Sequence, residues 1–326
     1  LPEPKEFTRH PVEKIRVRRL KSANDYLSAY SRLSFQARKL GQVLDVLERM
    51  ARDEGCLRVM TLAGALIPAG LGGVICDLIE AGVVNCLVST GANVTHDLVE
   101  AAGGRHYIGS ELADDRELQK LQINRIYDTF LPEAEYTIAQ KWLEARLEET
   151  SERRFTPSAL MRFLGEAAPA DCLLGAAARR GVPIFVPAFT DCEMALDLAV
   201  YNRRRQDPVV VDEMGDLETF ARLIEAHERR GSIILGGGVP RNWAQQVFPY
   251  LSFVHRGDGR REEFLGYDYG VRITTDRPDF GGLSGCTFSE SVSWGKYTAQ
   301  STTATVICDV TIALPLLAGA LLERLG

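Results

Sequence analysis

The sequence predicts an α/β protein, a parallel sheet with flanking helices and a helical insertion, forming one domain over residues 35–326 behind an N-terminal arm at 1–34. Three observations lead there. Short apolar runs at 57–62 and 83–88 each end in small residues, Ala63-Gly64 and Ser89-Thr90-Gly91-Ala92-Asn93. Between them Leu71, Val74, Ile75 and Leu78 recur at i, i+3, i+4 and i+7, the spacing that puts apolar side chains on one helix face. Further apolar runs at 184–186, 209–211, 232–235, 251–254 and 271–274 supply more strands. Strand, turn, helix and strand in succession is how a chain crosses over to add a parallel strand.

Taken in order, residues 1–25 are basic and irregular. From 35 to 50, Leu40, Val43, Leu44, Leu47 and Met50 mark an amphipathic helix. The helix after the first strand closes at Gly82. Residues 114–154, rich in Glu, Arg, Lys and Leu, read as mostly exposed helix whose charges form a solvated face. The most apolar stretch, 303–322, contains Asp309, Thr311 and Pro315, which favours a buried core helix over a membrane span.

Composition excludes several classes. The 326 residues are 45% hydrophobic and 25% charged, as in ordinary soluble globular proteins. A formal charge of −6 argues against a nucleic-acid partner, which would call for a basic face. The seven cysteines show no C-x-x-C spacing and the five histidines no H-x-x-x-H, so no metal site is expected. Dispersed cysteines fit reduced, buried thiols in a cytoplasmic protein, and no signal-peptide core is visible near the first residue.

The chemistry concentrates late in the chain. Ser291-Val-Ser-Trp-Gly-Lys296 sets a lysine directly behind a Trp-Gly pair. Burial disfavours the ammonium form, and a neutral lysine attacks imine or carbonyl carbons. Ser232-Ile-Ile-Leu-Gly-Gly-Gly-Val-Pro240 is an apolar strand entering three glycines, with Pro240 suited to the first turn of a helix. Such a turn lets backbone N–H groups approach a phosphate, although the spacing is not G-x-G-x-x-G and a tight strand-to-helix turn explains it equally well. Thr90-Gly91-Ala92 and Pro187-Ala-Phe-Thr-Asp191 follow strands in the same way. In open parallel sheets ligands sit where such turns cluster. Thr190-Asp191 suits a ribose hydroxyl, an ammonium or a helix N-cap. Glu290 suits a cationic substrate or is a plain surface carboxylate.

Together these residues resemble the deoxyhypusine synthase family. The likeness runs from about Phe35-Gln-Ala-Arg38 to the C-terminal end and is carried by Ile123-Asn-Arg-Ile126, Thr156-Pro-Ser158, Pro187-Ala-Phe-Thr-Asp191, Leu235-Gly-Gly-Gly238 and Glu290-Ser-Val-Ser-Trp-Gly-Lys296. The resemblance implies a single Rossmann-like domain, homotetramers with active sites between subunits, and bound NAD. Enzymes of this family oxidise spermidine with NAD and release diaminopropane. They hold the four-carbon unit as an imine on a lysine, then pass it to a lysine of a translation factor and reduce it. By this likeness Lys296 is the imine-forming lysine, Trp294 packs on the substrate's alkyl chain, and Glu290 and Ser284 contact substrate. Thr90, Asp191, Gly237, Thr275 and Asp309 match cofactor-contacting positions, and Gly91 and Ala92 stand where the family has Ala-Gly.

Several polar positions depart from the family pattern. Ala65 and Pro68 replace an Asn and a Ser, Thr95 and His96 replace paired glutamates, Asn242 replaces a histidine, and Leu283 replaces an aspartate. A further aspartate falls on Leu196, with Asp197 one residue out of register. A buried polyamine ammonium needs carboxylate partners, so these losses imply a substrate with fewer or differently placed cations. His96 and Asn242 would then hydrogen-bond neutral or anionic groups. The pattern is most like the bacterial deoxyhypusine synthase-like branch. The resulting expectation is NAD-dependent aminoalkyl transfer from a polyamine or related amine, with the acceptor, a small amine or a protein lysine, left open. The alternatives are homospermidine synthase-type transfer and a non-catalytic NAD- or amine-binding homologue.

Overall fold

Strands β1 (Cys56–Leu62), β2 (Cys86–Ser89), β3 (Ile184–Phe185), β4 (Arg229–Leu235), β5 (Tyr267–Thr274) and β6 (Tyr297–Ile307) lie side by side in the order β6-β5-β4-β1-β2-β3, and every pairing is parallel. The computed structural model describes residues 8–259 and 265–326. This is the doubly wound, Rossmann-like order, in which the direction of winding reverses between β1 and β4. Leu62 pairs with Leu235 in register, so the two strands end level at that reversal.

Alternation along each strand feeds two cores. Cys56, Met60 and Leu62 of β1 face one cluster, shared with the helices Phe35–Arg52 and Val310–Leu325. Leu57 and Val59 face the other, with Phe220 of the Glu213–Glu225 helix and Ala244, Val247 and Phe248 of the Gly238–Gly257 helix. All seven β1 residues are buried, as expected of a parallel strand covered on both faces.

The structure corrects several expectations. The run at 251–254 is not a strand but lies inside the Gly238–Gly257 helix, where Leu251 is buried while Phe253 is 64% exposed. Four apolar residues in a row fit either period, and only the longer helical context decides. Val210–Val211 is a strand, but it pairs with Arg154–Phe155 in a separate two-stranded sheet. Strand β6 went unread because its Thr- and Ser-rich stretch lacks an apolar run; residues 303–307 belong to it, and the last helix starts after Asp309. The insertion is not continuous helix. Ile123–Ile126 and Thr129–Pro132 form an antiparallel hairpin between the helices Asp115–Lys120 and Glu133–Glu148, with Tyr107–Ile108 beside it. In the segment expected as an arm, Ala23–Tyr30 is helical and Leu27 is fully buried, while 1–7 lie outside the described residues.

All seven cysteines are free thiols, five of them buried. Among the described residues no helix is long and apolar enough to cross a membrane, and no cluster of His, Cys, Asp and Glu is arranged to hold a metal.

Candidate active site

Because the sheet is parallel, the loops leaving its strands gather on one edge. They carry Thr90, Gly91 and Ala92 after β2, Asp191 after β3, Gly237 after β4, Thr275 after β5 and Asp309 after β6. All seven residues expected on the cofactor side therefore share that edge. Gly236 and Gly238 have φ of 78° and 61°, so the turn out of β4 is one that a side chain would strain. A Cβ on Gly237 would come within 2.5 Å of Ser284 Cα, and one on Gly91 within 2.6 Å of Cys192 Cβ. Thr90 caps the Gly91–Ala101 helix and receives a hydrogen bond from Asn93 Nδ2 at 3.0 Å. Asn93 Oδ1 in turn accepts from Leu66 N–H at 2.8 Å, tying the turn after β2 to the loop after β1. Asp309 caps the last helix, accepting from Thr311 N–H at 2.8 Å. Ala188 is held at φ 56° between two buried residues, and Asp191 and Thr275 are exposed.

The chain from 275 to 296 leaves this edge and runs back over the Gly238–Gly257 helix. Ser284 marks the crossing: it packs on Gly237, and its Oγ accepts from Gly238 N–H at 3.0 Å. Thr287 then caps the short helix Phe288–Val292 by accepting from Glu290 N–H. Gly295, at φ 69°, ends it, and Lys296 N–H donates to Ser291 O at 3.1 Å. Tyr297 anchors the next position, since its buried ring packs on Tyr267 and Phe288 and its hydroxyl meets Ser232 Oγ at 2.5 Å. The lysine backbone is thus fixed from both sides.

Lys296 is 8% exposed. Among the described residues its Nζ has one hydrogen-bond partner, the neutral amide Oδ1 of Asn242 at 3.0 Å, and it stands 5.8 Å from the centre of the Trp294 ring. Burial pushes its pKa below the ordinary lysine value; the Arg241 cation adds to this, while Cys286 and Glu290 act the other way. The amine opens into a cavity of about 310 Å³ bounded by Asn242, Gln246, Leu283, Cys286, Glu290 and Trp294. Glu290 is the one carboxylate on that wall among the described residues.

Two guanidinium groups support the wall from behind. Arg241, 1% exposed, donates to Leu283 O at 3.1 Å and to Cys286 O at 2.7 Å. Arg272, 4% exposed, reaches Ser284 O at 3.4 Å and also Cys286 O. Burial, and then the neighbouring Arg241 charge, push the Arg272 pKa down to about 10. Among the described residues the Nε of each has no hydrogen-bond partner. These buried cations hold backbone carbonyls rather than carboxylates, which leaves the pocket electropositive beneath the lysine.

His96 lies elsewhere in the chain. Its Nδ1 meets His106 Nε2 at 2.9 Å, and His106 Nδ1 meets Glu100 Oε1 at 3.0 Å, with the Tyr136 ring 6.0 Å away. Burial, then the neighbouring His106, push its pKa down to about 4, so it is neutral at pH 7. It does not line the Lys296 cavity, whereas Asn242, Glu290 and Trp294 do. Asp197 is half-buried beside Glu144 and Glu193, with its pKa pushed up to about 6, first by burial and then by those two carboxylates. Sequence reasoning missed Gln246, Cys286, Arg241 and Arg272. The first had a legible signal, since Gln246 follows Asn242 at i+4 on a helix begun by the glycine turn.

The family profile described as deoxyhypusine synthase matches residues 25–321. The chain belongs to the deoxyhypusine synthase family. Among its relatives is a protein of Methanosarcina acetivorans named probable deoxyhypusine synthase 2, which is 37% identical over 98% of this chain and 91% of the relative. A deoxyhypusine synthase-like protein of Chlorobaculum parvum is 33% identical over 88% and 82%. The fold is shared with a solved structure from Entamoeba histolytica assigned as a deoxyhypusine synthase, at TM-score 0.63 and 16% identity over 95% and 96% of the two chains.

Proposed function

We propose that this protein is an NAD-dependent aminoalkyl transferase that carries a fragment of a polyamine or related amine on Lys296 as an imine and delivers it to an acceptor amine. One observation carries the reading: a buried lysine, depressed in pKa and held by a neutral amide, opens into a cavity walled by Trp294 and Glu290. A buried ammonium without an anionic partner costs stability, and a nucleophilic amine is a use that offsets the cost.

The glycine turn at the winding reversal, with Gly236 and Gly238 at positive φ, stands where doubly wound sheets take dinucleotides. Thr90, Gly91, Ala92, Asp191, Gly237, Thr275 and Asp309 would hold NAD there. Bound NAD supplies reversible hydride acceptance, which leaves the overall transfer redox-neutral. The chain's residues do the rest. Trp294 covers the fragment's alkyl chain and Glu290 pairs with its remaining ammonium. Asn242 accepts an N–H from the neutral lysine and so directs the Nζ lone pair into the cavity. Arg241 keeps the protonated lysine unfavourable.

The protein acts in the cytoplasm on this reading, and it assembles as a homotetramer. Ile108, Leu112, Leu121 and Tyr127, in and just before the insertion, are exposed by 100%, 88%, 67% and 67%, and apolar side chains left this open favour a second copy. Borohydride reduction of the protein with NAD and an amine panel, followed by peptide mass mapping, tests the proposal. An adduct on Lys296 is expected; no adduct with any amine would remove the mechanism's centre.

A further inference from the structure

A second cavity, of about 610 Å³, lies against β3 and shares no residue with the lysine cavity. Its volume is that of a small-molecule site. The helices Pro157–Gly165, Leu173–Arg180 and Glu213–Glu225 enclose it together with the start of β3. Met161, Leu174, Val182 and Leu223 make its walls apolar, and Ala177 and Ala178 are too small to fill it.

Strand β3 is the last in the sheet order, so one of its edges has no neighbouring strand. Ile184 stands opposite Leu87 of β2, and Leu87 N–H donates to Pro183 O at 2.9 Å. Successive residues of a strand offer their main chain to opposite sides, so Ile184 turns its own N–H and C=O away from β2, toward the cavity it lines. Among the described residues neither group has a hydrogen-bond partner, and the residue is only 3% exposed. Buried main-chain groups are seldom left unpaired, and a sheet edge is where a further main chain adds.

The other polar groups of the cavity are engaged within the chain. Thr219 Oγ1 donates to Gly215 O at 2.9 Å, and Ser158 Oγ donates to Asp216. Thr156 Oγ1 accepts from Ala159 N–H at 3.2 Å. Arg162 and Glu166 form an ion pair with each other at 3.2 Å. What remains for a ligand is one N–H, one C=O and an apolar wall.

We infer that this cavity is a second binding site and that its ligand is an uncharged, peptide-like amide with an apolar side chain. One residue of the ligand, extended beside β3, accepts from Ile184 N–H and donates to Ile184 C=O, the exchange made by hydrogen-bonded pairs of antiparallel strands. Its side chain takes the space between Met161, Leu174 and Leu223. A charged ligand would find no counter-charge among the lining residues, because their one ion pair is already closed. The inference stands apart from the transferase reading, since it needs neither Lys296 nor NAD.

The probe is N-acetyl-leucine N-methylamide, titrated into the full-length protein by calorimetry and followed at the Ile184 amide by NMR. Its analogue methylated on the leucine nitrogen keeps the side chain but loses the N–H that meets Ile184 C=O. That analogue should bind about tenfold more weakly, and free leucine, with its two charges, more weakly still. Thr219→Trp closes the cavity from an exposed position and should weaken the probe by at least about tenfold, while Thr219→Ser should not; melting curves check that both fold. The capped peptide acetyl-Thr-Val-Leu-Val-Thr-amide separates two sources of such a ligand. Tighter binding than the single residue supports a protein segment adding a strand, and equal binding supports a free small amide. No saturable binding of the probe, equal binding of the methylated analogue, or an unshifted Ile184 amide overturns the inference, and none of these three depends on a variant.

Discussion

Lys296 and His96 are both buried nitrogen bases that desolvation drives toward neutrality, yet their surroundings differ in kind. His96 closes a chain, with His106 on one ring nitrogen and the exposed Glu100 beyond, so its ring faces protein groups rather than an open cavity. Lys296 has one neutral partner and a cavity in front of it. Burial alone therefore does not mark a nucleophile. Burial with an open face and no carboxylate hydrogen-bonded to the nitrogen does, because lowering the pKa favours the form whose lone pair faces the cavity.

The sharpest way to break that contrast is to delete the lysine. Lys296→Met should abolish aminoalkyl transfer, by at least about three orders of magnitude, since among the described residues no other amine lines the cavity. The same variant should be more stable by about 1 kcal/mol, raising the melting temperature by roughly 2 °C, because a desolvated amine with a single neutral hydrogen-bond partner among the described residues is replaced by an apolar chain. A loss of both activity and stability would mean that the lysine is structural.

Asn242→Asp converts the open base into an ion pair. A carboxylate beside Nζ stabilises the ammonium and raises its pKa, so the pH–rate profile should shift upward and activity at pH 7 should fall by about ten- to a hundredfold. An unshifted profile would show that the lysine's protonation does not limit the reaction. Arg241→Met, measured by kinetics, should raise KM by about tenfold, because the carbonyls of Leu283 and Cys286 lose their donor and the wall loosens. Partial recovery in Arg241→Lys would mark a positioning role.

The smallest effect is expected at the closed chain. His96→Gln should change trapping at Lys296 by less than about threefold. It should instead alter acid stability. With a folded pKa of about 4 against an ordinary 6.5, the unfolded state binds the extra proton, so stability is lost as pH falls from 6.5 toward 4. The variant should flatten that limb in denaturant titrations at stepped pH. A large loss of transfer at pH 7 would instead place His96 in the chemistry, reached through a neighbouring subunit.

How far the sequence could be read depended on whether a feature was local. The run ending in Lys296 and the glycine turn after β4 are short patterns whose geometry follows from a few residues, and both were legible. The strand β6 was not, because its Thr- and Ser-rich pleat is fixed by pairing with β5 rather than by its own apolar pattern. The run at 251–254 went the wrong way because helix and strand both accept four apolar residues. Arg241 and Arg272 could not be found, since their role is to hold carbonyls some forty and fourteen residues away in sequence. Asn242 was visible only as a changed residue. That it is the hydrogen-bond partner of Lys296 is a tertiary fact, and the burial that lowers the lysine's pKa is another.

The direct test of that state is a titration of Lys296 Nζ, followed by NMR of protein carrying isotope-labelled lysine, with Lys296→Met to assign the signal. The account predicts a midpoint clearly below that of an ordinary lysine, shifted upward in Asn242→Asp. A midpoint at or above the ordinary value in the wild type would contradict it.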